Sequence, residues 1–382
     1  MFLELLNQLQ SNDNGLRQTA EATLESLPTD SLIPSLTSCL DSSDLMMKQF
    51  TAVLLRRMLF SHDRIEQCSP EILSELQSKT LSCFLSNSHP SLRSKLSHLI
   101  SALSSHFRQA QMPWPQLSQL LADALASPDH TLREYSLEII ASDPELCQNT
   151  HLLLKSLQDP HIEVRLAALK ASCYFLLATE PSIRDSLQET MMPFIFQTFP
   201  ILINLKDRQE LLQSAFSYLT ELAEVFPKLF KPTLSPLIDL IVQIISDLEY
   251  ESSTQQAGLE LLLTIMEAAP SLMKKQSSFV SSIVPLMIQW MSDLEDEEDW
   301  YTTLNVEEDD DESGNDVVGE QAMDRLARGL GGAIMLPIAF SMIPGFLSSP
   351  EWTKRHAGLR AISAIGEGCH SIMVTELDKV VA

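Results

Sequence analysis

Only Gly15 and Gly258 occur before residue 314; the other nine glycines fall between Gly314 and Gly368. Tight β-hairpin turns need residues that accept positive φ, and glycine above all. A chain that scarcely uses glycine over most of its length is steered away from β-rich folds and towards helices joined by short polar loops. The prolines agree. Pro90, Pro128, Pro160, Pro270 and Pro350 stand at the starts of apolar-periodic segments, where a missing N–H leaves no hydrogen bond unmade. With 382 residues, 45% of them hydrophobic, the chain is long enough for two or three globular domains or one elongated array.

A recurring segment favours the array. HPSLRSKLSHLISAL (His89–Leu103), PDHTLREYSLEII (Pro128–Ile140), DPHIEVRLAALKASCYFL (Asp159–Leu176) and SPEWTKRHAGLRAISAI (Ser349–Ile365) align on Arg93, Arg133, Arg165 and Arg355. NDNGLRQTAEATL (Asn12–Leu24) aligns on Arg17. Each opens with a Pro, Asp or His turn, carries a basic residue on its first turn, and continues with apolar residues at three- and four-residue steps. The steps between them, roughly 30–40 residues or near-multiples, suggest HEAT-type repeats. The expected fold is all-α, a right-handed superhelical solenoid of helical hairpins, with hairpins near 1–26, 29–62, 67–107, 114–142, 145–178, 181–226, 228–268, 270–330 and 332–368. The apolar helix within 193–205 should bend at Pro200. The aligned arginines should bond the preceding turn or the acid of the next repeat, as a structural ladder. In the last segment Trp352, Ala357, Leu359, Ala361, Ile362 and Ile365 should form the apolar face, with Arg355, His356 and Arg360 off it. Gly366 and Gly368 should close that helix in the left-handed conformation.

Two stretches break the pattern. Between Glu295 and Glu312 there are eleven acids and no base. Like charges repel, so a mobile loop is expected. Gly329 to Pro350 holds twenty-two uncharged residues. Its length and hydropathy suit a membrane span, but Pro337, Pro344 and four glycines interrupt it, and the buried first helix of a repeat explains it better. Residues 332–382 should be the least stable end of the array.

Little here suggests chemistry. Gly329–Leu330–Gly331–Gly332 lacks the GK[ST] ending of a phosphate loop. The nine histidines never take an HExxH spacing, and no two of the six cysteines take metal-ligand spacing. No catalytic residue, metal or cofactor is expected. The net charge of −25 excludes a nonspecific nucleic-acid binder, which needs a basic face, and favours basic partners. Trp300, beside the acids, could clamp a lysine through its ring or anchor the loop to the array.

Three strings carry a family resemblance: DLEDEEDW (Asp293–Trp300), GEQAMDRLARGLGG (Gly319–Gly332) and WTKRHAGLRAISAIGEGCH (Trp352–His370). In order and spacing they resemble the importin beta-3, or importin-5, branch of the karyopherins. RQTAEATLESLP (Arg17–Pro28) and TAVLLRRML (Thr51–Leu59) resemble that family's first two repeats. The resemblance implies a nuclear transport receptor shuttling between cytoplasm and nucleus. Its implied partners are Ran-GTP, cargo with basic nuclear localisation signals, and phenylalanine-glycine nucleoporins, with no direct nucleic-acid contact and no membrane insertion. It divides the chain into 1–293, the first eight repeats with a Ran-binding-like region; 294–316, an acidic loop within a repeat; and 317–382, the end of that repeat, one more repeat and the start of another. The loop role, contact with Ran or basic cargo, carries over to Glu295, Asp296, Glu297, Glu298, Asp299 and Trp300. The second cluster, Glu307, Glu308, Asp309, Asp310, Asp311 and Glu312, matches in character. Family members are much longer, so the chain is expected to be a portion of a receptor. A HEAT-repeat scaffold or chaperone for basic proteins is the alternative.

Overall fold

The computed structural model describes residues 2–60, 64–112, 114–147, 149–294 and 314–376. Among them there is no β-strand, and eighteen α-helices of seven residues or more follow one another. They divide into two compact units, 1–175 and 176–382.

The first unit contains α1 (Phe2–Leu9), α2 (Asn14–Ser26), α3 (Thr29–Cys39), α4 (Leu45–Phe60), α5 (Pro70–Ser86), α6 (Pro90–Gln109), α7 (Pro115–Ala124), α8 (His130–Ser142), α9 (Thr150–Ser156) and most of α10 (Ile162–Ala178). Sequence chemistry sets the starts. Asp13 accepts hydrogen bonds from the N–H groups of Gly15 and Leu16, Asp129 from those of Thr131 and Leu132, and Asn149 from that of His151. These side chains satisfy donors that a helix leaves open at its first turn. Proline occupies the first position of α5, α6 and α7. Even-numbered helices pack side by side, α4 on α6 and α6 on α8, and α3 packs on α5. Between them lies a continuous core with Leu36, Leu55, Phe84, Leu99 and Phe107 fully buried.

The second unit contains α11 (Pro181–Phe196), α12 (Gln209–Val225), α13 (Leu234–Ser246), α14 (Ser252–Ala268), α15 (Ser277–Trp290), α16 (Asn315–Leu330), α17 (Gly332–Leu347) and α18 (Trp352–Gly366). The stacking repeats: α12 on α14, α14 on α16 and α16 on α18, with α13 on α15 and α15 on α17. Phe199, Phe216, Phe230 and Phe279 fill its core.

Several expectations are corrected. The apolar helix of 193–205 breaks before Pro200: α11 ends at Phe196, and a short helix, Phe199–Leu202, takes Pro200 in its first turn, because Pro200 has no N–H to donate to the carbonyl of Phe196 and cannot continue α11 through that position. Gly366 and Gly368 are not left-handed; the glycine with positive φ among the described residues is Gly331, at 81°, between α16 and α17. Gly368 serves close approach instead, since a Cβ there would lie 2.3 Å from the carbonyl carbon of Ala327. Trp352 (48% exposed) and Leu359 (61%) face outwards, and Gly358 is buried against Phe346 and Leu347. Asn315 and Asp316, assigned to the acidic stretch, form the first turn of α16.

The uncharged stretch forms α17. It turns Met335, Leu336, Ala339 and Ile343 inwards, while Ala333, Pro337, Ser341, Pro344 and Gly345 are its exposed residues. Small residues and prolines thus make the outer face of a helix whose composition alone reads as apolar all round. Pro227–Ser246 is also long and apolar enough to cross a membrane, but its leucines and isoleucines at 234, 237, 238, 241, 244 and 245 are buried in the second unit. The cysteines at 39, 68, 83, 173 and 369 are buried, and Cys147 is half-buried.

Candidate partner-binding surface

The aligned arginines all bond, in two directions. Arg17 donates to the carbonyl of Ser11 (3.2 Å), Arg133 to that of Ser127 (2.8 Å) and Arg355 to that of Ser349 (2.9 Å). Arg165 donates to the carbonyl of Asp159. In each case the arginine reaches back six positions and ties down the turn before its own helix. Arg93 reaches forward instead, to Asp129 at 2.7 Å and to Thr131, across to α8. Arg133 does both, with two further bonds to Asp159 at 2.7 and 2.9 Å. Asp129 is therefore at once the cap of α8 and the acceptor of an arginine from α6. Burial tends to raise the Asp129 carboxyl, but the bonds from Arg93 and Thr131 outweigh it and hold it below the usual range. Asp159 behaves the same way under Arg133. Arg93 is 2% exposed and Arg133 9%, so neither is open to a partner.

The second unit places charge differently. On α14, Glu260 and Glu267 together hold Arg325 of α16 through four hydrogen bonds of 2.6–2.9 Å. Arg325 pulls the Glu267 carboxyl below its ordinary value, and the two glutamates push the guanidinium upwards. On α18, Arg360 bonds Asp316 at 2.9 Å and Glu320, both on α16. Arg328 of α16 donates to Asp324 at 3.0 Å and to Glu367 at 2.9 Å. Six carboxylates thus face three guanidiniums along three neighbouring even-numbered helices. Most of these groups are part-exposed, and Glu367 is 75% exposed. A cleft of about 530 Å³ opens between α14 and α16, lined in part by Gln256, Glu260, Val318, Gln321 and Arg325. The row of carboxylates, planar guanidiniums and amides can exchange an internal arginine for an incoming one, because Arg–carboxylate pairs are two-pronged and directional.

A smaller acidic group lies on α8 and α10. Lys170 bonds Glu138 at 2.6 Å. Burial, and then the negative charges of Glu163 and Glu138, push the nearby Glu134 up to about 7.

Glu295, Asp296, Glu297, Glu298, Asp299, Trp300, Glu307, Glu308, Asp309, Asp310, Asp311 and Glu312 lie outside the described residues. Sequence reasoning missed the Glu260, Glu267, Asp316, Glu320, Asp324 and Glu367 row. Its signal was present but dilute: acids at four- and seven-residue steps on helices that also carry arginines. No group of three or more metal-ligating side chains gathers among the described residues.

Residues 88–240 match the family described as IPO5-like, TPR repeats, and 247–337 match the family described as importin repeat. Importin subunit beta-3 of Saccharomyces cerevisiae is 27% identical over 405 residues, covering 99% of this chain and 36% of that protein. A probable importin-5 homolog of Dictyostelium discoideum is 24% identical, again over 99% of this chain and 36% of its own length. The chain therefore spans about a third of the curated relatives it matches. Among solved structures, Kap121p bound to RanGTP aligns with a TM-score of 0.85 at 27% identity, over 99% of this chain and 37% of that one. Kap121p bound to Pho4p aligns with a TM-score of 0.85 at 26% identity, over 100% and 38%. The all-α helical-repeat solenoid is the shared fold.

Proposed function

The chain belongs to the karyopherins, in the importin beta-3/importin-5 branch, and from that membership we propose that it is the N-terminal portion of a nuclear transport receptor. It binds proteins rather than transforming substrates, and it works between cytoplasm and nucleus. Its partners are Ran-GTP, cargo with a basic nuclear localisation signal, and phenylalanine-glycine nucleoporins. The observation that carries this reading is the carboxylate row on α14, α16 and α18, where six acids outnumber three arginines within reach of solvent. A lysine- or arginine-rich segment laid across these helices meets that excess, and the net charge of −25 steers it there. Kap121p has been solved with RanGTP and with Pho4p, which supports a receptor over a general scaffold. The acids at 295–299 and 307–312, with Trp300, add a second basic-partner contact in this reading.

Titration of the purified chain with Ran in both nucleotide states tests the proposal. Binding of the GTP form, with the GDP form much weaker, is the expected result. Equal binding of both forms, or none, would leave a HEAT-repeat scaffold for basic proteins as the better description.

A further inference from the structure

Four of the twelve lysines, Lys228, Lys231, Lys274 and Lys275, fall in two short stretches, 226–233 and 269–276, that contain no acid. The first joins α12 to α13, and the second joins α14 to α15. The fold brings them together. α12 and α14 pack along each other, and each is 17 residues long. Their starts are tied: the Gln209 side chain donates to the carbonyl of Glu249 at 3.1 Å and accepts from the N–H of Glu251 at 2.8 Å. Helices of equal length that start level also end level, so the stretches that follow them lie side by side. Packed helices are about 8–10 Å apart, a gap that about three extended residues span.

Both stretches are anchored from beneath. Leu229, Phe230 and Met273 are buried, and the Gln188 amide of α11 donates to the carbonyls of Lys228 at 3.1 Å and Leu229 at 3.2 Å. All four lysines are exposed. Lys79, Lys170, Lys206 and Lys354 each hold a carboxylate; among the described residues none of these four does. Glu267, in the last turn of α14, is taken by Arg325. Glu224, in the last turn of α12, forms no ion pair with them. A chain with 51 acids and 26 lysines and arginines thus keeps a charge of +4 unmatched on one edge.

The size of this patch selects its partner. A membrane or a nucleic acid is an extended polyanion, and it would press its charge on the acids around the patch in a chain of net charge −25. A short acidic segment can meet the four lysines alone. We propose that this edge of the second unit docks an aspartate- or glutamate-rich segment of a partner protein, laid across the two turns with its carboxylates on Lys228, Lys231, Lys274 and Lys275. The site is opposite in sign to the carboxylate row and requires nothing about transport.

The test is fluorescence anisotropy of a rhodamine-labelled peptide of alternating aspartate and glycine, titrated with the full chain, beside the same peptide with asparagine for aspartate. The aspartate peptide should bind saturably, more weakly as salt is raised, and the asparagine peptide should not bind. Lys228→Gln with Lys231→Gln, and separately Lys274→Gln with Lys275→Gln, should each weaken binding about fivefold without lowering the thermal midpoint. All four together should abolish it. Lys79→Gln with Lys155→Gln removes the same charge elsewhere and should leave the affinity unchanged. Equal weakening in that control makes the effect one of net charge and overturns the proposal. So does binding of both peptides alike, or of neither. Sedimentation of the chain with phosphatidylserine vesicles, without peptide binding, makes the patch a membrane contact and overturns it too.

Discussion

The even-numbered helices of the two units use the same residue types to different ends. In the first unit an arginine from one helix is buried against an aspartate that also caps the next, as Arg93 is with Asp129. In the second unit the arginines sit midway along a helix or in its last turn, part-exposed, among more carboxylates than they can neutralise, as Arg325, Arg328 and Arg360 do. Burial makes the difference. A buried pair must be complete, because a lone partner is left without solvent. An exposed pair is worth little to stability and can be traded for another. Ion pairs hold the first array together and equip the surface of the second.

The largest effect should come from Arg93→Ala. It removes a buried guanidinium and leaves Asp129 with the cap alone, at a cost of about 3 kcal/mol in urea unfolding. Arg360→Ala, whose partners reach water, should cost about 1 kcal/mol. Equal losses would break the comparison.

Gly368→Ala sharpens it next. A Cβ 2.3 Å from the Ala327 carbonyl carbon forces α16 and α18 apart, with an expected loss of about 2 kcal/mol, seen as faster amide exchange in both helices. That loss should exceed the one from Arg360→Ala, since this contact rests on backbone approach.

Reversing charge in the row, with Glu260→Lys and Glu367→Lys together, should weaken a basic nuclear-localisation peptide about tenfold at low salt while changing stability little. Affinity that stays constant would show that the row is only a structural brace.

The smallest expected effect is the pH dependence from Glu134. Its folded carboxyl titrates at about 7, above its ordinary value of 4.5, so the folded chain keeps a proton that the unfolded chain releases. That contribution is complete below 4.5 and is lost as pH rises through about 7. Glu134→Gln should flatten this slope and, after solvent screening, stabilise the chain by roughly 1 kcal/mol near pH 8. A slope retained in the variant would place its source elsewhere.

Helix starts were legible in the sequence because they depend on neighbours in the chain. Asp13 and Asp129 cap within three residues, and Pro70, Pro90 and Pro115 sit where a missing donor is harmless. The arginine pattern was legible as a pattern, but the forward reach of Arg93 was not, because it depends on where α8 lies beside α6. Trp352 and Leu359 fit an apolar stripe by spacing yet face water, since the small residues Ala357, Gly358 and Ala361 are the ones that let α18 approach its neighbours. The acidic run drew attention by its density, whereas the carboxylate row was thinned along three helices and became a surface only when they stacked.

The sequence by itself determined the helical class, the repeat and the surplus of negative charge. Glycine scarcity, capping residues and apolar periodicity act over a few neighbouring residues and need no knowledge of the rest of the fold. Tertiary structure decided which charged groups brace the array and which remain available. Whether a guanidinium is sealed against one carboxylate or shared among several in water depends on the depth at which adjacent helices pack, and no local stretch of chain encodes that depth.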